Sequence, residues 1–115
     1  MTPDRIRQLL STGEGLTIEY KECVNSLNNS VWETVCSFSN RYGGHLILGA
    51  LNDGTPTGVN PNAAQQMKKN FASMLNNPQK TSPSLFLSLD EVMLDEMMLL
   101  YAHIPISSQI QCRPL

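Results

Sequence analysis

Apolar residues along the chain follow two spacings, and these divide it into seven segments. Helical spacing of apolar residues, bounded by capping and breaking residues, occurs in residues 2–12, 30–40 and 62–76. Alternating or continuous apolar runs, typical of strands, occur in residues 16–21, 45–51, 85–92 and 97–104. The predicted order is therefore α, β, α, β, α, β, β. It indicates an α+β fold with a mixed β-sheet, helices packed on that sheet and a C-terminal antiparallel hairpin.

The first predicted strand has one apolar and one polar face. Strict alternation from Leu16 to Lys21 is typical of a half-buried strand. Leu16, Ile18 and Tyr20 are expected to face the core. Glu19 and Lys21 would then be neighbours on the opposite face of the strand.

The boundaries of the next two elements follow from local signals. The pattern Ser30-Val31-Trp32-Glu33 predicts a capping box at the start of the second helix. That helix is expected to end at Arg41-Tyr42-Gly43-Gly44, where a glycine can adopt the left-handed cap. The segment His45–Leu51 is apolar at both alternating sets of positions, which favours a central strand covered on both faces.

Length and composition describe one ordinary globular domain. The chain has 115 residues, of which 41% are hydrophobic and 16% are charged. Its apolar runs are too short to cross a bilayer, so we expect no membrane partner. The N-terminus has no secretory signal pattern, and Cys23, Cys36 and Cys112 form no CxxC pair. These features predict free thiols and a cytoplasmic location.

Charge and spacing exclude several classes of function. The net charge of −2, from 8 Lys and Arg against 10 Asp and Glu, argues against binding nucleic acid by bulk phosphate neutralisation. A local basic patch stays compatible with this composition, and Lys68-Lys69 is the only adjacent basic pair. The sequence has no Gly-x-x-x-x-Gly-Lys-Ser/Thr, so this segment is not a P-loop ATPase. His45 and His103 are too scattered to predict a metal site.

Four segments in the first half of the chain resemble, in order and spacing, the pattern of one family. They are Glu14 with Glu19-Tyr20-Lys21, the helix end Val35–Gly44, the strand His45–Gly49, and the turn Asn52-Asp53-Gly54 followed by Gly58. Together they resemble the Schlafen/AlbA-type DNA-binding domain, also called the divergent AAA domain. The resemblance covers roughly residues 12–106.

The resemblance implies that residues 1–115 form a single Schlafen/AlbA-type domain. Such domains stand at the N-terminus of bacterial and archaeal transcriptional regulators and of RecG-related, ATP-dependent DNA helicase-like proteins. Family members continue beyond this length, so we expect an excised N-terminal fragment of a longer protein. The implied function is nucleic-acid binding, with DNA favoured over RNA and no enzymatic activity for this domain alone. A homodimerisation or protein-interaction domain is an alternative that the slightly negative charge would suit.

Nucleic-acid binding would require groups that contact phosphates. The candidates are Lys21, Arg41, Gly43, Gly44, Lys68 and Lys69. The basic side chains would position phosphates beside backbone amides near the glycine pair. In the competing interpretation Lys21 pairs with Glu19, and the two glycines only allow a tight passage from helix to strand.

Glu14, Glu19 and Asp53 carry the catalytic alternative. Three carboxylates at one end of a sheet could hold Mg²⁺ or Mn²⁺ and activate water for phosphodiester cleavage. Animal Schlafen nucleases carry an acidic triad at corresponding positions of the pattern, so the resemblance implies a metal-dependent endoribonuclease as this alternative. Otherwise no cofactor is expected. The competing interpretation makes Glu19 an ion-pair partner, Glu14 a loop acid and Asp53 a turn former.

Overall fold

Three helices and six strands make up the part of the chain that the structure describes. The computed structural model describes residues 1–83 and 85–107, and the backbone of residues 111 and 112. The helices are α1 (Pro3–Thr12), α2 (Asn29–Ser39) and α3 (Ala64–Asn76). The strands are β1 (Ile18–Lys21), β2 (Gly44–Leu48), β3 (Thr81–Ser82), β4 (Asp90–Leu94), β5 (Met97–Ile104) and β6 (Gln111–Cys112). The seven predicted elements are therefore present in the predicted order, and the α+β fold is confirmed.

Four of the strands form the central mixed sheet. Their order is β1-β2-β5-β4, with β1 parallel to β2 and the other two pairs antiparallel. A parallel pair needs a crossover connection, and α2 lies in that connection. The short strands β3 and β6, which were not predicted, form a separate antiparallel pair.

Helices cover both faces of the central sheet, so the fold has three layers. The buried face of α1 packs with one set of sheet residues, which includes Ile18, Tyr20, Ile47, Leu99 and Tyr101. Helices α2 and α3 pack on the opposite face over Leu46, Leu48, Leu100, Ala102 and Ile104. The two central strands, β2 and β5, contribute alternate residues to both cores, as the side-chain period of two requires. The prediction that β2 is covered on both faces is confirmed.

Helix α1 begins and ends where the sequence indicated. The hydroxyl of Thr2 accepts the backbone N–H of Arg5 at 3.2 Å, and Pro3 occupies the first turn, where its missing N–H leaves no bond unmade. The helix ends before Gly13, whose φ of 93° favours glycine.

Two local predictions are wrong. Helix α2 begins at Asn29 with Asn28 as its N-cap, so Ser30 lies inside the helix and its hydroxyl donates to the Asn28 side chain instead of capping. Leu16 is 68% exposed, although the alternation placed it in the core. The reason is that β1 starts only at Ile18, whose carbonyl accepts the N–H of Gly15 at 3.0 Å, so the chain turns before the strand.

The C-terminal hairpin is shorter on its first strand than predicted. Strand β4 begins at Asp90, and the segment 85–89 is instead a connection anchored by Leu85, whose N–H donates to the Leu75 carbonyl at 3.0 Å. The predicted antiparallel hairpin is confirmed, and its turn lies at Asp95 and Glu96. Asp95 and Glu96 both have positive φ, 51° and 68°, as a two-residue hairpin turn requires.

The cysteines differ from one another. Cys23 is a buried free thiol, as expected. Cys36 is disulfide-bonded, so the expectation of a free thiol is wrong for this residue. Among the described residues, no helix is both long and apolar enough to span a membrane.

Candidate nucleic-acid interface

Glu14 lies against the outer edge of β1. Its carboxylate accepts the backbone N–H of Tyr20 at 3.0 Å, and the next residue, Gly15, donates its N–H to Ile18. The N–H of Tyr20 and the carbonyl of Ile18 point away from β2, because β1 is the edge strand of the sheet. The contacts with Glu14 and Gly15 satisfy these two groups. Glu14 is therefore a loop acid with a defined structural contact.

Glu19 and Lys21 share one face of β1, as predicted, and form an ion pair. The ammonium of Lys21 lies 3.2 Å from the Glu19 carboxylate, and the two side chains are 20% and 29% exposed. Burial raises the pKa of Glu19, the contact with Lys21 opposes that rise, and the nearby carboxylate of Glu14 adds to it. The five-residue step from Glu14 to Glu19 thus does bring two carboxylates close together.

Asp53 is engaged in its own turn. Its carboxylate accepts the N–H of Thr55 at 2.9 Å, and this hydrogen bond lowers the pKa of Asp53. Such a bond to the backbone two residues on is typical of aspartate as a turn former. Residues 1–83 and 85–107 contain no group of three or more His, Cys, Asp or Glu side chains that could hold a metal ion.

The predicted basic residues fall into two classes. Lys21 is paired with Glu19, and Lys68 donates to the Glu91 carboxylate at 2.8 Å. Arg41 and Lys69 are exposed and make no ion pair within the described part of the chain. Only the second class can meet a phosphate without first losing a carboxylate partner.

The two predicted glycines are required by the backbone. Gly43 has a φ of 70° and donates its N–H to the Phe38 carbonyl at 2.7 Å, which closes the end of α2. A Cβ on Gly44 would lie 2.6 Å from the ring of Phe38 and 2.7 Å from the carbonyl oxygen of Thr17. The amide of Gly43 is therefore already bonded, and Gly44 provides close packing between α2 and the sheet.

Charges separate between the two sides of the sheet. The side covered by α2 and α3, called the α2/α3 side below, has five cations and three carboxylates: Lys21, Arg41, Lys68, Lys69 and Lys80, with Glu19, Glu33 and Glu91. The side covered by α1 has two cations and four carboxylates: Arg5 and Arg7, with Asp4, Asp53, Asp90 and Asp95. Three further acids, Glu14, Glu22 and Glu96, lie in the segments flanking β1 and in the hairpin turn. The carboxylate of Glu14 is close to Glu19 and offsets one cation of the α2/α3 side. The net charge of the whole chain hides this asymmetry.

Lys80 and its surroundings were missed by the sequence analysis. The ammonium of Lys80 lies 4.8 Å from the centroid of the Trp32 ring, a cation–π contact. The indole N–H of Trp32 donates to the hydroxyl of Thr81 at 3.0 Å, which in turn donates to the Met74 carbonyl. An isolated lysine after a helix gives no sequence signal, because only the fold brings it to Trp32.

An open pocket of about 360 Å³ lies beside Lys80, between the start of α2 and the last two turns of α3. Its lining contains several side-chain amides and no carboxylate: Leu27, Asn28, Asn29, Asn70, Ser73, Met74, Asn77 and Lys80. The signal in the sequence was the spacing of Asn70, Ser73 and Asn77, which places three polar residues on one helical stripe.

A second polar cluster lies on the opposite side of the sheet. His45 and His103 are cross-strand neighbours, with ring centroids 5.5 Å apart, and Nδ1 of His45 is 2.7 Å from the Tyr101 hydroxyl. Burial lowers the pKa of His45, and the positive charges of His103 and Arg5 lower it further. The expectation of two histidines held in strands agrees with this placement.

Comparisons with known proteins identify the family and the fold. The family model described as Schlafen, AlbA_2 matches residues 14–113. The fold is similar to the solution structure of the N-terminal domain of a RecG-related protein from Nitrosomonas europaea, with a TM-score of 0.71 and 24% identity. That match covers 93% of this chain and 74% of the other. The sequence matches no curated protein.

Proposed function

Because the chain belongs to the Schlafen, AlbA_2 family, we propose that it is a nucleic-acid-binding domain that contacts DNA phosphates with its α2/α3 side. We further propose that it works in the cytoplasm, within a transcriptional regulator or a RecG-related protein. The name of its structural neighbour refers to an ATP-dependent DNA helicase, which supports DNA as the partner.

The observation that carries this proposal is the set of cations without carboxylate partners on the α2/α3 side. Arg41 and Lys69 make no ion pair within the described residues, and Lys80 is held by an aromatic ring and not by an acid. Cations outnumber carboxylates on this side alone. A phosphate backbone would therefore meet a positive field here and a negative one on the side of α1.

An exposed aromatic residue accompanies Arg41. Tyr42 is 63% exposed at the end of α2, directly after Arg41 in the chain. A cation beside an aromatic ring suits one nucleotide, because the cation contacts the phosphate and the ring stacks on the base. Tyr42 was not among the residues predicted from the sequence.

The test is a salt titration of binding to a labelled DNA duplex. Each cation that contacts a phosphate contributes about 0.9 to the slope of log affinity against log salt. Arg41→Gln and Lys69→Gln are each expected to lower this slope by about 0.9 and to weaken binding at low salt. The matched control is Arg5→Gln on the side of α1, which removes the same charge and is expected to leave the slope unchanged.

Two outcomes would overturn the proposal. Absence of salt-sensitive binding to duplex DNA at micromolar protein would remove DNA as the partner. An equal loss of slope in Arg5→Gln and Lys69→Gln would show that only overall charge matters and that the α2/α3 side has no special role. Light scattering on the same samples tests the alternative of a homodimerisation domain, which predicts self-association without DNA.

The endoribonuclease alternative stays a prediction with weaker geometric support. Glu14 and Glu19 are close, but Asp53 is held in its own turn and no third ligand joins them within the described residues. Incubation with transfer RNA and Mg²⁺, followed by a denaturing gel, tests it directly. Fragments that disappear in Glu19→Gln would support cleavage by this domain.

A further inference from the structure

The pocket beside Lys80 has a polar lining that offers donors and no anionic acceptor. We propose that it binds one nucleotide unit. The phosphate would contact Lys80 and the asparagine amides, and the base would lie over Leu27 and Met74. This inference rests on the proposed function for the class of ligand. It adds a specific site, a specific ligand size and specific recognition groups.

Three asparagines of the pocket make hydrogen bonds within the chain, and the bond of Asn77 fixes the orientation of its amide group. The Oδ1 of Asn77 accepts the backbone N–H of Gln79 at 3.0 Å, a donor that only an oxygen can accept. The Oδ1 of Asn70 accepts from the side chain of Gln66 at 2.8 Å. The Oδ1 of Asn28 accepts from the hydroxyl of Ser30.

Asn77 therefore uses its oxygen within the chain and keeps its NH₂ for another partner. Asn28 and Asn70 each use one amide atom in a bond to the Ser30 hydroxyl or the Gln66 side chain and keep the other. Within the described residues, none of the three side-chain amides makes a second hydrogen bond. Three side-chain amides and one ammonium line one pocket that has no carboxylate. A ligand rich in acceptors and negative in charge fits this set, and a phosphate ester is such a ligand.

The position of Lys80 is set by the segment after α3. The backbone N–H groups of Lys80 and Thr81 both donate to the Asn77 carbonyl, at 3.0 and 2.8 Å. These bonds form a turn that returns the chain from the end of α3 to Trp32. Lys80 and Asn77 are thereby held at one end of the pocket, and the ammonium is in place before any ligand binds.

The remaining surface of the pocket is apolar. Leu27 and Met74 are partly buried and pack against the core beneath α2 and α3. A flexible thioether beside a leucine provides a surface on which the face of a base can lie. The volume of about 360 Å³ lies at the lower end of the roughly 300–1,000 Å³ typical of small-molecule sites.

The nucleotide could be free or part of a strand, and the experiment distinguishes these sources. The side-chain amide signals of Asn28, Asn70 and Asn77 are followed by NMR during titration. The probes are a 5′-nucleoside monophosphate, inorganic phosphate, a single-stranded DNA octamer and a blunt DNA duplex. We expect the amide signals to shift with the monophosphate, the octamer or both, and more weakly with inorganic phosphate.

The decisive variant is Asn77→Asp. It keeps the oxygen that accepts from Gln79, so the turn is retained, and it replaces the NH₂ donor by a second carboxylate oxygen. We expect affinity for the responding probe to fall about tenfold to a hundredfold, the range for losing a hydrogen bond to a charged group. The control Asn62→Asp adds the same charge before the other end of α3, about 20 Å away at 1.5 Å per residue, and is expected to bind as the parent does.

Several results would overturn the inference. They are unchanged amide signals with every nucleotide probe at millimolar concentration, equal losses in Asn77→Asp and Asn62→Asp, or inorganic phosphate binding as tightly as the monophosphate. Failure of the proposed function would be detected by a different measurement, the salt dependence of binding to duplex DNA. Duplex binding that is unaffected by Asn77→Asp, together with silent amide signals, would remove the pocket and leave the DNA-binding proposal standing.

Discussion

The ammonium of Lys21 lies 3.2 Å from the carboxylate of Glu19, two residues earlier on the same face of β1. Both side chains are partly buried, so water screens the attraction between the two charges less than it would at the open surface. Lys21, which the sequence predicted as a phosphate contact, is thus already paired with a carboxylate.

Replacing Lys21 by methionine is expected to affect stability more than DNA binding. The variant leaves Glu19 without its partner, and we expect a loss of about 1 kcal/mol in the free energy of unfolding at neutral pH. Because the pKa of Glu19 is raised by burial, this loss should shrink as pH falls and Glu19 becomes protonated. Urea denaturation at several pH values measures both effects.

The matched control for this prediction is Lys69→Met. It makes the same chemical change at an exposed residue with no ion pair among the described residues. We expect Lys69→Met to change stability little and to lower the salt slope of DNA binding. The reverse pattern, with Lys21→Met reducing the slope and sparing stability, would make Lys21 the phosphate contact after all.

The burial of His45 predicts that the protein loses stability in mild acid. Its pKa is lowered in the folded state from its ordinary value of 6.5, first by burial and then by His103 and Arg5. The unfolded chain therefore binds this proton more readily, so stability falls as pH drops from 6.5 towards the lower folded pKa. Thermal unfolding between pH 7.5 and 5 should show the fall.

The variant His45→Gln isolates this contribution. Glutamine cannot titrate and can still hydrogen-bond to the hydroxyl of Tyr101, so the fall in stability over this range should be smaller than in the parent. His103 is exposed and adds only the smaller charge contribution to the lowered pKa of His45, so His103→Gln should reduce the fall less than His45→Gln does. Identical pH profiles for the parent and His45→Gln would contradict this account.

Gly44 is expected to tolerate no side chain. A Cβ there would lie 2.6 Å from Phe38 and 2.7 Å from the Thr17 carbonyl, so α2 and the sheet would have to move apart. We expect Gly44→Ala to lower the free energy of unfolding by about 1–3 kcal/mol, the range for overpacking a core. At Gly15 a Cβ would meet nothing within 4 Å, so Gly15→Ala in the same denaturation assay should be close to neutral.

The buried hydrogen bond between Trp32 and Thr81 makes a further prediction. Thr81 is fully buried, and its hydroxyl is the acceptor for the indole N–H at 3.0 Å. Thr81→Val keeps the shape but leaves that N–H without an acceptor, and we expect it to cost about 1–3 kcal/mol. The fluorescence of Trp32, the single tryptophan of the chain, reports the unfolding.

Thr81→Ser is the companion variant. It keeps the hydroxyl and removes only a methyl group, so it should cost less than Thr81→Val despite being the smaller residue. If serine were the more damaging substitution, packing of the methyl group and not the hydrogen bond would account for the role of Thr81.

Local chemistry made the order and type of the main elements predictable. The Thr2-Pro3 start of α1 and the Gly43-Gly44 end of α2 depend on nearest neighbours, and both were located correctly. The segment 85–89 failed because an apolar run can be buried as a connection as well as in a strand. The hydrogen bond between the backbones of Leu85 and Leu75, at the end of α3, makes this segment a connection and not a strand. The spacing of apolar residues in the sequence does not predict this contact.

The candidate site was predictable only where residues share one element. The Glu19–Lys21 pair follows from the alternation of a single strand. The meeting of Lys80 with Trp32, and of Asn28 with Asn77 across the pocket, depends on how α2 and α3 pack. Asp53 shows the same limit. The sequence pattern assigned its carboxylate to the acidic site, but in the structure that carboxylate is hydrogen-bonded within its own turn.

The contact of Glu14 with the edge of β1 also has a consequence for how copies of this chain meet. An open strand edge is a template on which another strand can add, and from there sheets can grow between molecules. In β1 the N–H of Tyr20 and the carbonyl of Ile18 are already occupied by Glu14 and Gly15. We therefore expect a negative charge held across this edge to disfavour aggregation through β1, and we expect a homodimer of this chain to use another surface.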